Sequence, residues 1–318
     1  MKINIWNSHE PDGNTARRGV KKTQKTQFYI QPASKASRAP EESREQNNAR
    51  EILMELNNLI GLHEVKKLIM EIYAFVEIQK RRQRKRLATE PLVLHMIFKG
   101  NPGTGKTTVA RILGKLLKEV GVLPRGHLVE VERADLVGEY IGHTAQKTRE
   151  QIKKALGGIL FIDEAYSLAR GGEKDFGKEA IDALVKGMED HRDNLILILA
   201  GYQEEMDWFV EINPGMRSRF PVHISFPDYT TGELLTIAES MLKQKQYVLS
   251  NGAREELRYA IEKEHKRHEH SGNARLVRNM IERAIRRQAV RLLEQKGELS
   301  REDLMLITRE DIRGFQEE

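Results

Sequence analysis

The chain has no cysteine among its 318 residues, so neither a disulfide nor a thiolate metal site can be built from it. No apolar stretch approaches the ~20 residues needed to cross a bilayer. Met1 to Gln31 is polar and basic, without the apolar centre of a secretory leader. The expected location is the cytoplasm. Excess charge is missing from most of the chain as well. The net charge of +6 comes mainly from the first fifty residues, where ten Lys and Arg face five Asp and Glu; the remainder is nearly balanced. The basic balance is therefore that of a tail and does not point to nucleic acid. There is no internal repeat of solenoid period. His265, His268 and His270 crowd one polar segment, but no complete ligand set lies near them, and they read as charged surface.

What is present sorts into three regions. Residues 1–48 are rich in Lys, Arg, Gln, Asn, Ser, Thr and Pro and read as a disordered basic extension, with Phe28-Tyr29-Ile30 its one apolar island. From Arg50, Ile52, Leu53 and Leu56, then Val65, Leu68, Ile69, Ile72, Phe75 and Val76, recur at helical spacing, interrupted at Asn57–Gly61. The run Lys80–Arg86 follows and reads as a solvated helix face. Five short apolar runs come next: Leu92–Phe98, Leu128–Val131, Ile159–Ile162, Leu195–Leu199 and Val222–Phe226. Nearly all-apolar strands are buried on both faces. Their alternation with helical segments predicts an α/β fold, a five-stranded parallel sheet with helices on both faces. Beyond Pro227, Thr231–Gln246, Ala253–Lys266, Ala274–Gln295 and Thr308–Phe315 have helical period, and no further strand is expected. The predicted organisation is thus an extension (1–48), an α/β domain (49–227) and a C-terminal all-helical subdomain (228–318).

The segment Gly100-Asn101-Pro102-Gly103-Thr104-Gly105-Lys106-Thr107 is a complete phosphate-binding loop. Its glycines let backbone N–H groups turn toward an anion where a Cβ would obstruct them. Pro102, Gly103, Thr104, Gly105, Lys106, Thr107 and Thr108 are the expected nucleotide contacts. Lys106 faces the β- and γ-phosphates of ATP, and the Thr107 hydroxyl serves as a ligand to Mg²⁺. An apolar strand leads in. A helix leads out with Val109, Ile112, Leu113, Leu116, Leu117 and Val120 on one face, so that its N-terminus also favours the anion. The second element, Ile159-Leu160-Phe161-Ile162-Asp163-Glu164, delivers two carboxylates to the end of a buried strand. Asp163 is expected to hold Mg²⁺, and Glu164 to orient and deprotonate the attacking water.

With these motifs the chain from about Leu56 to Phe315 resembles an AAA+ ATPase, and within that class the CbbX/CfxQ family. The resemblance is also carried by Leu136–Thr144, Phe161–Tyr166, Phe176–Ile181, Leu199–Tyr202 and Asn213–Phe220. It implies a P-loop NTPase fold with a helical lid and Mg²⁺-dependent ATP hydrolysis, with ATP held between subunits of a homo-hexameric ring. It also implies roles. Arg219 matches the arginine finger that reaches a neighbour's γ-phosphate, with Arg217 the second candidate; Arg275 matches the lid arginine called sensor 2. Ile60 and Gly61 fall where the family packs adenine, and Tyr140-Ile141-Gly142 matches the aromatic pore loop. Tyr202 stands where many members carry a polar Asn, a departure that leaves its role open. The implied function is an ATP-driven motor that threads or tugs a protein client, with a sporulation role carried by the nearest branch. A nucleotide-dependent docking switch and a Rubisco-activase-like regulator are the alternatives. A nucleic-acid motor fits less well, because Glu139-Tyr140-Ile141 is not basic.

Overall fold

A computed structural model describes residues 39–89, 93–140, 142–171, 175–213, 215–267, 272–295 and 297–313. Helices α1 (Ala39–Asn57) and α2 (His63–Arg84) precede β1 (Met96–Lys99) and α3 (Lys106–Glu119). Then come β2 (Leu128–Val131), α4 (Arg133–Leu136), α5 (His143–Ala155) and β3 (Ile159–Ile162). A 3₁₀ turn (Ala165–Ala169) leads to α6 (Gly177–Asp190), β4 (Ile196–Gly201), α7 (Gln203–Ile212), α8 (Met216–Arg219) and β5 (Val222–Ser225). The C-terminal part comprises α9 (Thr231–Gln244), β6 (Val248–Leu249), α10 (Asn251–Arg267), α11 (Asn273–Glu294), α12 (Arg301–Met305), β7 (Leu306–Ile307) and α13 (Arg309–Arg313).

Five strands pair in parallel in the order β2-β3-β4-β1-β5. Because side chains alternate across a strand, β1, β3 and β4 each feed two cores. Met96, Phe98, Ile159, Phe161, Ile196, Ile198 and Ala200 pack with α1, α2, α3 and the C-terminal helices. Ile97, Leu160, Ile162, Leu197 and Leu199 pack with α5, α6 and α7. This two-sided covering is why β3 and β4 read as continuous apolar runs rather than alternating ones.

Two expectations are corrected. Residues 1–38 lie outside the described residues, but 39–48, expected to belong to a disordered extension, are the opening turns of α1. Pro40 near the start and Glu41-Glu42 after it suit a helix N-terminus, a local signal that the polar composition masked. The C-terminal subdomain also contains strands: β6 and β7 pair in parallel through Val248↔Leu306 and Leu249↔Ile307. Two residues cannot display a period. The turn of α12, closed by a Ser300/Asp303 capping box, is five residues long and likewise too short to display a period. The Lys80–Arg86 run forms the exposed end of α2 and the turn beyond it. His268 and His270 lie outside the described residues. Among the described residues no helix is long and apolar enough to cross a membrane.

Candidate functional site

The C-terminal ends of β1, β3 and β4 open into a cleft of about 660 Å³. Its floor is Gly100, Pro102, Gly103, Gly105, Lys106, Thr107 and Thr108, with Asp163, Glu164 and Tyr202 beside them. The turn between α1 and α2 contributes Ile60 and Leu62, and the C-terminal subdomain closes the cleft with α9 and with Arg275 and Arg278 of α11. Gly61 does not line it; with φ +64° it turns the chain between two residues that do. Thr104 is fully buried, and its hydroxyl donates to the Asn101 carbonyl at 2.7 Å.

Lys106 opens α3 behind Gly105, whose φ of +98° an L side chain rarely adopts. The ammonium donates to the carbonyl oxygens of Gly100 and Asn101 at 2.7 and 2.9 Å. Burial pushes it below the usual lysine range; Asp163, Asp228 and Glu164 oppose that shift, and Arg275 adds to it. A desolvated cation held only by neutral carbonyls is matched to an incoming anion. Gly103 has φ +75°, and a Cβ there would meet Gly272 O and lie 2.8 Å from the Arg275 nitrogen. The loop thus touches the start of α11 backbone to backbone, with the Ala274 N–H donating to Gly103 O at 3.2 Å.

Asp163 and Glu164 follow the fully buried β3. Glu164 is exposed and has φ +47°, outside the conformations favoured by a non-glycine residue; such strain concentrates at working sites. The Glu164 N–H donates to Asp163 Oδ1 at 3.0 Å, which turns that carboxylate toward the backbone. The Thr107 hydroxyl points to Glu130 Oε1 at 3.4 Å. Thr107 and Asp163 share the cleft as hard oxygen donors. Among the described residues no cluster of three or more His, Asp or Glu could hold a metal by itself. That donor set fits Mg²⁺, which keeps several waters and binds through one or two protein oxygens plus substrate phosphates.

Tyr202 caps α7 directly after β4, 6.2 Å ring to ring from Tyr166. The Arg170 guanidinium lies 4.4 Å from the Tyr166 ring centre, and burial together with Glu164 pushes the Tyr166 hydroxyl to about 12.

Other expected site residues lie elsewhere. Arg219 and Arg217, on α8, are not in the cleft; Arg219 is engaged with Glu189 at 2.7 Å, and Arg217 is exposed. Tyr140 is 65% exposed, its ring edge-on to His143 at 5.4 Å. Ile141 lies outside the described residues. The base of that loop is fastened: Thr144 Oγ1 accepts from the Gly138 N–H at 2.9 Å, and Thr148 Oγ1 donates to Leu136 O at 3.2 Å.

Sequence reasoning missed Arg278, one helical turn beyond Arg275, and the polar group that joins half-buried Asn101 and Asp228 to buried Tyr229 and Asn273. The signal for Arg278 was its three-residue spacing from Arg275, which places both on one face. No pattern flagged Asp228 and Asn273, far apart in sequence.

A model of the ATPase family associated with various cellular activities (AAA) matches residues 96–228, and a model of the AAA lid domain matches residues 230–318. The chain is 56% identical over 265 residues to stage V sporulation protein K of Bacillus subtilis, covering 83% of this chain and 82% of that one. It is 48% identical over 272 residues to protein CbbX of Cereibacter sphaeroides, covering 85% and 88%. Among solved structures, the FIGL-1 AAA domain superposes with a TM-score of 0.56 at 17% identity, over 80% of each chain.

Proposed function

The chain belongs to the AAA+ ATPases and hydrolyses ATP; on that premise we propose that it works as a ring of identical subunits that pulls on a protein client. Lys106 and the loop N–H groups take the phosphates, Ile60 lies at the adenine end with Gly61 turning the chain behind it, and Arg275 approaches from the lid. Thr107 and Asp163 would hold Mg²⁺, which supplies charge neutralisation at the β- and γ-phosphates. Glu164 orients the attacking water and accepts its proton. Arg219, with Arg217 the second candidate, enters the site of the next subunit.

The observation that carries this reading is a separation within one chain. The cleft gathers Lys106, Asp163, Glu164 and Arg275 but not Arg219, while Tyr140 stands exposed on an anchored loop outside it. An arginine finger that does not line the cleft of its own chain points to a neighbour's. An exposed tyrosine with a fixed base can grip an extended chain through flat amphipathic contact without reading its sequence. The process is taken from the sporulation relative, and the client is a protein.

Glu164→Gln should hold ATP without turnover and retain the client. The test is nucleotide-dependent capture by Glu164→Gln compared with Glu164→Gln/Tyr140→Ala. Protein retained by the first and lost from the second supports the reading. Equal capture by both sinks the grip through Tyr140 and leaves the docking-switch alternative.

A further inference from the structure

Asn273 is the first residue of α11, fully buried, with φ +45°. Every polar atom of its side chain is engaged. Oδ1 accepts the Tyr229 N–H at 2.9 Å, and Nδ2 donates to Asp228 Oδ1 at 2.7 Å and to Pro102 O at 3.4 Å. The Asp228 carboxylate takes a second amide from the opposite side, Asn101 Nδ2, at 3.0 and 2.9 Å to its two oxygens. Tyr229, also buried, donates its hydroxyl to Thr104 O at 3.2 Å. Two residues of the interdomain connection therefore join the phosphate loop to the first turn of the lid helix. The same loop residue, Asn101, gives its carbonyl to Lys106.

Asn273 and Tyr229 are buried and Asn101 and Asp228 half-buried; such polar groups are costly unless paired, and a fully paired network rigidifies the segments it joins. Asn273 also has φ +45°, a left-handed conformation that few residues other than glycine and asparagine adopt. Their common effect is geometric. Arg275 is two residues beyond Asn273, and its backbone nitrogen lies against Gly103. Without the tether, the lid could dock in orientations that carry the guanidinium away from the loop.

We propose that Asp228 and Asn273 are positioning residues that lock the start of α11 onto the phosphate loop and so deliver Arg275 to the nucleotide's phosphates. The proposal rests on the reading of Arg275 as a phosphate contact. The reciprocal consequence is that movement of the loop at Asn101, when Lys106 exchanges its carbonyl partners for phosphate, is passed to the lid through Asp228.

The test is a double-mutant cycle on ATP affinity, read by fluorescent-nucleotide titration of the full chain. The variants are Asn273→Gly, Arg275→Ala and the pair. Glycine tolerates the +45° backbone, so this change removes the side chain alone. Arg275→Ala should weaken binding about tenfold to a hundredfold, the range of a charge-assisted hydrogen bond. Asn273→Gly should lose a comparable factor, and the double variant should be little weaker than Arg275→Ala. Multiplicative losses overturn the proposal, because Asn273 would then act independently of Arg275. If Arg275→Ala leaves affinity unchanged, the reading of Arg275 itself is wrong. Should Asn273→Gly fail to fold, Asp228→Ser closes the same cycle from the other side of the tether, and the same outcomes decide.

Discussion

Glu189 holds Arg219: the guanidinium donates from Nε and Nη2 to a single carboxylate oxygen, Oε1, at 3.0 and 2.7 Å. Both side chains are well exposed, 38% for Arg219 and 60% for Glu189, so the pair is worth about 0–1 kcal/mol and can open readily. In one chain, then, the arginine is parked rather than buried.

The first prediction concerns that arginine. Specific ATPase activity should rise with protein concentration as subunits meet. Arg219→Ala should keep nucleotide affinity and lose up to ~10³-fold in turnover, guided by arginine fingers elsewhere. Mixing Arg219→Ala with Glu164→Gln subunits should restore part of the activity, since one class of interface then has an intact finger and an intact base. Steady-state ATPase assays across a dilution series check this. A concentration-independent rate in a monomer would reject the ring.

The Lys106 ammonium is expected to govern nucleotide affinity. Lys106→Ala should abolish measurable ATP binding. Because burial holds its titration below the ordinary lysine range, affinity should decline as pH rises, at a lower pH than an exposed lysine would impose. Asp163 is the strongest charge opposing that shift, so Asp163→Asn should move the alkaline decline further down. Fluorescent-nucleotide titrations from neutral to alkaline pH measure both effects.

His95 lies at the buried approach to β1, its Nδ1 accepting the Leu197 N–H at 3.0 Å. Burial depresses its pKa from 6.5 to about 4. The unfolded chain therefore binds this proton first. Stability should be complete above pH 6.5 and fall progressively as the pH drops toward 4, by on the order of 3 kcal/mol from this group. Chemical denaturation between pH 7 and pH 4 reads the slope. His95→Asn keeps an acceptor at the Nδ1 position for the Leu197 N–H but does not titrate, and it should flatten that limb.

Tyr140→Ala should leave the melting temperature and basal ATPase near those of the parent, because an exposed side chain typically contributes within about 0.5 kcal/mol. Client-stimulated ATPase should be lost, and Tyr140→Phe should retain it. A large drop in thermal stability would make Tyr140 structural and remove it from the mechanism.

The five-stranded parallel sheet was legible because its strands are short, rich in apolar residues and mostly separated by helical segments; Ile159–Ile162 is an example with every residue buried. The phosphate loop and the Asp163-Glu164 pair were legible because their chemistry requires fixed residue types at contiguous positions. Arg275 and Tyr140 needed resemblance to be noticed at all, since a lone arginine or tyrosine carries no local pattern.

Contacts between distant segments had no such signature. That Asp228 lies between Asn101 and Asn273 depends on folding together residues more than a hundred positions apart. The β6–β7 pairing likewise joins dipeptides on either side of α10 and α11. A hydrogen bond between remote side chains leaves no period in the chain and needs only one polar residue from each segment. The helical start at Ala39 shows the converse: a polar composition concealed an ordered helix, because composition averages over the few residues that set a helix end. Periodicity and local motifs report what neighbours in sequence must do together. Which arginine lines the cleft of its own chain, and which lies outside it beside Glu189, is settled by packing in three dimensions.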